Sequence, residues 1–209
     1  MIKLIIFDFD GVLIDSIHNM EYAWQLSCKK CDIKVHFSKY KKFIGLPFFE
    51  ILKKLKIDKD KFNNICKFYN YYSFEKINLV KIKKKDLKIL KNLKNKGYIL
   101  GLFTSKNMKR SFQILGKNKE LFKYKIFPNK NSRGKPYPDG LNKIINKSKI
   151  KKNETVYLGD TIFDHRSANS ANIQYIHANW GYQKIRKKNV FKINQLSELK
   201  NFLENESKF

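Results

Sequence analysis

Two carboxylates, Asp8 and Asp10, stand directly after the apolar run Leu4-Ile5-Ile6-Phe7, with Gly11 next. A short continuous run of large apolar side chains reads as a strand covered on both faces, so the acids fall where a buried strand ends. In open α/β sheets that edge is where ligands bind, and a glycine there lets the backbone turn tightly and approach a ligand. Residues two apart on extended backbone point the same way, so Asp8 and Asp10 can share one site; solvated strand-end caps are the alternative reading. Three further stretches carry chemistry at comparable places. Thr104-Ser105 follows the strand-like Tyr98-Ile-Leu-Gly-Leu-Phe103, and hydroxyls with free backbone N–H groups at a strand-to-helix turn form an anion site, or simply a helix cap. Lys135 lies in Arg133-Gly-Lys-Pro-Tyr-Pro-Asp139, where two prolines stiffen the loop. Asp160 and Asp164 follow the strand-like Thr155-Val-Tyr-Leu-Gly159, with helix capping again the simpler alternative. Carboxylates gathered without compensation repel one another, so a cation is expected among them. Hard oxygen ligands with no His or Cys cluster favour Mg²⁺.

The elements that position these groups fall into two kinds. From Ser16 to about Leu79 the pattern is helical. Asp15 and Ser16 offer capping oxygens for a helix through Ile17, Met20, Tyr22, Ala23, Trp24 and Leu26. The break Gly45-Leu46-Pro47 precedes Phe48, and an aromatic-rich helix follows through Phe62, Ile65, Phe68, Tyr69, Tyr72 and Phe74. Three or four helices after the first strand exceed what a crossover needs and read as a lid. From about Asp86 helix and strand alternate. Gly97 closes one helix, Asn107 or Ser105 caps the next, Ile126-Phe127 begins a short strand, and Pro138 opens a helix through Leu141 and Ile145. Strands at Ile173–His177 and Val190–Ile193 and a closing helix at Leu196–Leu203 complete the series. This alternation predicts an α/β fold, a doubly wound, Rossmann-like parallel sheet whose strand ends of one kind lie on one edge. The expected division is residues 1–15 and 81–209 as catalytic core and 16–80 as a small α-helical cap.

Composition narrows the function class. The 209 residues suffice for one cored domain with a small insert, and no apolar run reaches the ~18 residues of a membrane span. The N-terminus lacks the pattern of a secretory signal, and three cysteines that cannot all pair suit a reducing cytoplasm. The net charge of +27 raises a second class of function, a nucleic-acid binder. Lysines spread through nearly every helix beside abundant Asn and Ile, with scarce arginine, instead read as a solvated surface that attracts small anions. Nucleic acid is therefore not expected as a partner, nor is a membrane.

Asp8-x-Asp10-Gly-Val with Asp15-Ser16, Thr104-Ser105, Gly134-Lys135-Pro136-x-Pro138-Asp139 and Gly159-Asp160-Thr161-x-x-Asp164 resemble the four ordered motifs of the haloacid dehalogenase-like hydrolases. The helical stretch resembles that superfamily's α-helical cap, as in phosphoglycolate phosphatases and β-phosphoglucomutases. The resemblance implies Asp8 as a nucleophile toward phosphorus and Asp10 as general acid and base. Mg²⁺ would be held by Asp8, the Asp10 carbonyl and Asp160, with Asp164 supporting it; Thr104, Ser105 and Lys135 would hold the phosphoryl oxygens. Gly45, Leu46, Pro47 and Phe48 resemble a specificity loop, or are a turn carrying a core Phe. An acid at position 10 implies phosphate chemistry rather than dehalogenation. Met20 stands where the mutases carry a histidine, which makes a mutase the second reading. The implied partner is a small phosphorylated metabolite, of phosphoglycolate or sugar-phosphate type, acted on by a monomer or homodimer. Ala171-Asn172 replaces the usual Ala-Gly, and His165 follows Asp164 where an apolar residue is usual.

Overall fold

A computed structural model describes residues 1–129, 133–187 and 189–205. Its strands are β1 (Leu4–Phe7), β2 (Ile99–Phe103), β3 (Tyr124–Ile126), β4 (Thr155–Gly159), β5 (Gln174–Ala178) and β6 (Phe191–Ile193). They form one parallel sheet in the order β3-β2-β1-β4-β5-β6. The helices are α1 (Ile17–Lys30), α2 (Phe37–Lys41), α3 (Phe48–Lys54), α4 (Phe62–Glu75), α5 (Lys84–Asn95), α6 (Met108–Leu115), α7 (Asp139–Ser148), α8 (Ile162–Ala171) and α9 (Leu199–Asn205).

Alternation along the strands builds the two cores. Ile5 and Phe7 of β1 join Leu90, Leu93, Leu115, Leu199 and Phe202 on one face. Leu4 and Ile6 join Leu141, Ile144, Ile145 and Ala168 on the other. Helices thus cover both faces, which is why β1 and β4 are apolar at successive positions. β3 ends at Ile126 instead of beginning there. It is an edge strand with half-exposed Tyr124 and Lys125, so no continuous apolar run marks it.

The chain reverses its direction of strand growth at β1, which pairs with β2 on one side and β4 on the other. Phe7 is level with Leu102 and with Leu158, so Asp8, Thr104 and Asp160 emerge at one crevice beyond the strand ends. Between β1 and β2, the stretch containing α1 to α4 builds its own apolar cluster around Met20, Trp24, Tyr40, Leu52, Ile65 and Tyr69. Trp24 is fully buried there, and its Nε1 donates to the Val35 carbonyl at 2.9 Å. Among the described residues no helix is long and apolar enough to cross a membrane.

Candidate active site

Where β1 stops, Asp8 meets two acids delivered by the far end of the chain. Asp160 directly follows β4, and Asp164 lies in the first turn of α8. Thr161 caps that helix reciprocally: its hydroxyl accepts from the Asp164 N–H, and its own N–H donates to Asp164 Oδ2 at 3.0 Å. The capping reading of this segment therefore holds for Thr161, and the cap is what orients Asp164. Tyr157 donates from its hydroxyl to Asp164 Oδ1 at 2.6 Å. Carboxylate oxygens of Asp8, Asp160 and Asp164 lie within 4.8 Å of one another. Lys135, wholly buried, places Nζ 2.6 Å from Asp8 Oδ1 and 2.7 Å from Asp164 Oδ1.

One ammonium cannot balance three buried carboxylates. Burial together with the neighbouring acids pushes Asp8 up to about 7 and Asp160 well above the usual carboxylate range. Burial would raise Asp164 too, but the Lys135 ammonium and the hydrogen bonds of Lys135, Thr161 and Tyr157 hold it below its ordinary value. The same acids overcome the burial of Lys135 and raise it. Asp160 Oδ1 is buried with no hydrogen-bond partner among the described residues. Gly11 and Gly181 close around that carboxylate: a Cβ on Gly11 would fall 2.1 Å from Asp160 Oδ2, and one on Gly181 2.2 Å from Asp160 Cβ. Surplus negative charge, a free oxygen and an all-oxygen donor set fit a hard divalent cation.

The Asp10 carboxylate turns elsewhere while still lining the same cavity as Asp8. It accepts a hydrogen bond from the Ser16 hydroxyl and pairs with Lys106 Nζ at 2.9 Å. Ser16 therefore does not cap α1 with its side chain; Asp15 accepts from the Ile17 N–H instead. Tyr182 ties the two acid loops together, its hydroxyl accepting from the Ser16 N–H at 2.8 Å and its N–H donating to Asp160 Oδ2 at 2.7 Å.

Thr104 is buried at the end of β2, its hydroxyl accepting from the Lys106 N–H at 3.0 Å. Ser105 reaches across to the helical block and donates to the Gly45 carbonyl at 2.6 Å. Asn107, not Ser105, caps α6. Of the turn at 45–48, Gly45, Leu46 and Phe48 line the cavity, whereas Pro47 packs against Gly134. Phe48 also stacks on Tyr69, so it belongs both to the cavity wall and to the helical core. Met20 lines the same wall.

Lys106, Arg110, Tyr157 and Tyr182 are the contributors that sequence reasoning missed. Lys106 directly follows the hydroxyl pair, and that adjacency was the available signal among 45 basic residues. Arg110 is the one buried arginine of four. Burial pulls the Lys106 ammonium below its ordinary value despite the Asp10 carboxylate. Burial pushes the Cys28 thiol up to about 12 and the Cys66 thiol up to about 11, so both stay protonated.

The sequence profile of the haloacid dehalogenase-like hydrolases matches residues 5–178. A curated relative from Caldanaerobacter subterraneus subsp. tengcongensis, "Putative pyrophosphatase PpaX", is 26% identical over 185 residues, covering 86% of this chain and 82% of that protein. Among solved structures, a hydrolase from Pseudomonas syringae superposes with a TM-score of 0.86 at 19% identity, over 98% of this chain and 99% of that one. A "predicted phosphatase" from Clostridium acetobutylicum superposes with a TM-score of 0.83 at 25% identity, over 98% and 99%.

Proposed function

The chain belongs to the haloacid dehalogenase-like hydrolases, and we propose that it is a Mg²⁺-dependent phosphatase of a small phosphorylated metabolite, working through an aspartyl-phosphate on Asp8. The observation that carries this reading is the pairing of Asp8 and Asp10 on one cavity, with Lys135 Nζ 2.6 Å from the Asp8 carboxylate. The phosphatase and pyrophosphatase names of similar proteins agree with it.

In the first half-reaction an Asp8 oxygen bonds to phosphorus, the ester P–O bond breaks, and Asp10 gives its proton to the leaving oxygen. In the second, Asp10 takes a proton from water, the water oxygen bonds to phosphorus, and the Asp8 carboxylate is released with inorganic phosphate. Splitting one displacement into two lowers each barrier, and the proton shuttle contributes roughly 10²–10⁴-fold. Lys135 and the Thr104 and Ser105 groups hold the phosphoryl oxygens as charge shifts onto them. Ser105 must then exchange its bond to Gly45 for one to the substrate. Asp8, the Asp10 carbonyl, Asp160 and the supporting Asp164 would hold Mg²⁺, which would supply positive charge to offset that of the substrate against the nucleophile. Residues 16–80 act as a cap that brings Met20, Gly45, Leu46 and Phe48 over the leaving group. Met20 offers no group to move a proton, and so the wall favours hydrolysis over mutase chemistry.

The test is release of phosphate from an aryl phosphate ester. It should require Mg²⁺, stop on chelation, and fall by at least about 10³-fold in Asp8→Asn. Full turnover in that variant rejects the reading.

A further inference from the structure

Arg110, in the first turn of α6, is more than nine-tenths buried and lines the same cavity as Asp8 and Asp10. Its Nη1 donates to Ser73 Oγ at 2.7 Å, its guanidinium lies 5.3 Å from the centre of the Tyr69 ring, and its Nε has no hydrogen-bond partner among the described residues. Among those residues it forms no ion pair, whereas its neighbour Lys106 is answered by Asp10 at 2.9 Å. Met20, Phe48, Ile51 and Tyr69 make the rest of this wall apolar or aromatic. A cation held out of water among such groups needs a compensating anion. The planar guanidinium fork suits an oxyanion, and the bond to Ser73 fixes one end of it while leaving Nε open.

We infer that Arg110 is the specificity-determining residue of a second anion subsite, and that the substrate is a short phosphate monoester or phosphoanhydride whose leaving group carries its own oxyanion, a carboxylate or a second phosphate. This rests on the phosphatase reading, which places the transferred phosphoryl group at Asp8 and Lys135 and therefore the leaving group toward Arg110. The cavity, about 50 Å³, limits that group to a few heavy atoms. The leaving group of a hexose phosphate is larger and lacks the charge that Arg110 requires.

Kinetics of the full chain with Mg²⁺ on a matched pair of esters decide the matter. Phosphoglycolate carries a carboxylate where 2-hydroxyethyl phosphate carries a neutral hydroxyl; pyrophosphate supplies the second phosphate, and an aryl phosphate reports hydrolysis as such. The wild type should favour phosphoglycolate or pyrophosphate over the neutral ester by about 10- to 100-fold in kcat/KM, the range of one hydrogen bond to a charged group. Whichever of the two is preferred identifies the oxyanion. Arg110→Gln should collapse that ratio toward one, and Arg110→Lys should restore part of it. Aryl phosphate hydrolysis without any preference overturns the subsite and leaves the phosphatase reading standing. A ratio unchanged in Arg110→Gln while all rates fall together assigns Arg110 a structural role and likewise overturns it. No hydrolysis of any ester removes the phosphatase reading and this inference with it.

Discussion

Two adjoining regions of the site, meeting at Asp8, are unbalanced in opposite directions. At the strand edge, among the described residues, three buried carboxylates lie together and Lys135 pairs with two of them, Asp8 and Asp164. Toward the helical block, among the described residues, Asp10 pairs with Lys106 and no carboxylate pairs with Arg110. Neither imbalance is a stable arrangement in a dry site, since uncompensated buried charge is costly. Each agrees with one of the proposals: a cation at the first region and an anion at the second. Under the proposed function, charge complementarity along this axis would orient a phosphate ester with its transferred group toward Asp8.

The contrast is tested by removing the cation from each end. Lys135→Met strands two fully buried carboxylates, and urea unfolding of the metal-free protein should show a loss of about 3–5 kcal/mol. Lys106→Met strands only Asp10, which keeps the Ser16 hydroxyl, and should lose about 1–3 kcal/mol. Equal losses would mean that the ends do not differ as described.

A smaller effect separates the acid end by pH. Asp8 is raised to about 7 when folded without metal, against an ordinary carboxylate value near 4 when unfolded. Its contribution to stability is therefore full below about pH 4 and lost as pH rises through about 7. Mg²⁺ bound as proposed would compete with protons for the same oxygens. The rise in thermal midpoint on adding Mg²⁺ should be greater at pH 8 than at pH 5. Buried His165 and His177, both held below the ordinary imidazole value by burial, add a pH dependence of their own to each midpoint. The same rise at both pH values would contradict a carboxylate site for the ion.

Much of the sheet was legible because its central strands are covered on both faces: Leu4–Phe7 and Thr155–Gly159 are buried without interruption and are followed by acids. β3 was misplaced because an edge strand keeps polar, half-exposed residues. The motif residues stand at strand ends or on a proline-stiffened loop, places where sequence pattern and position coincide. Ser16 was read as a cap because Ser commonly is one, and its actual bond to Asp10 depends on a loop geometry that no spacing encodes. Arg110 was hidden for a similar reason. A basic residue in a helix of a chain charged +27 reads as surface, and only the packing of α4 against α6 buries it beside Ser73 and Tyr69. The unusual Asn172 adopts the left-handed backbone, φ +56°, that ends α8. Asn tolerates that conformation better than most residues, which accounts for its standing in place of glycine.

The most direct measurement is acid quench of the enzyme during turnover of a phosphate ester with Mg²⁺, followed by peptide mass spectrometry. The account predicts one added phosphoryl group on the peptide containing Asp8, absent in Asp8→Asn. A phosphoryl group on another residue, or turnover by Asp8→Asn with no covalent adduct, would contradict it.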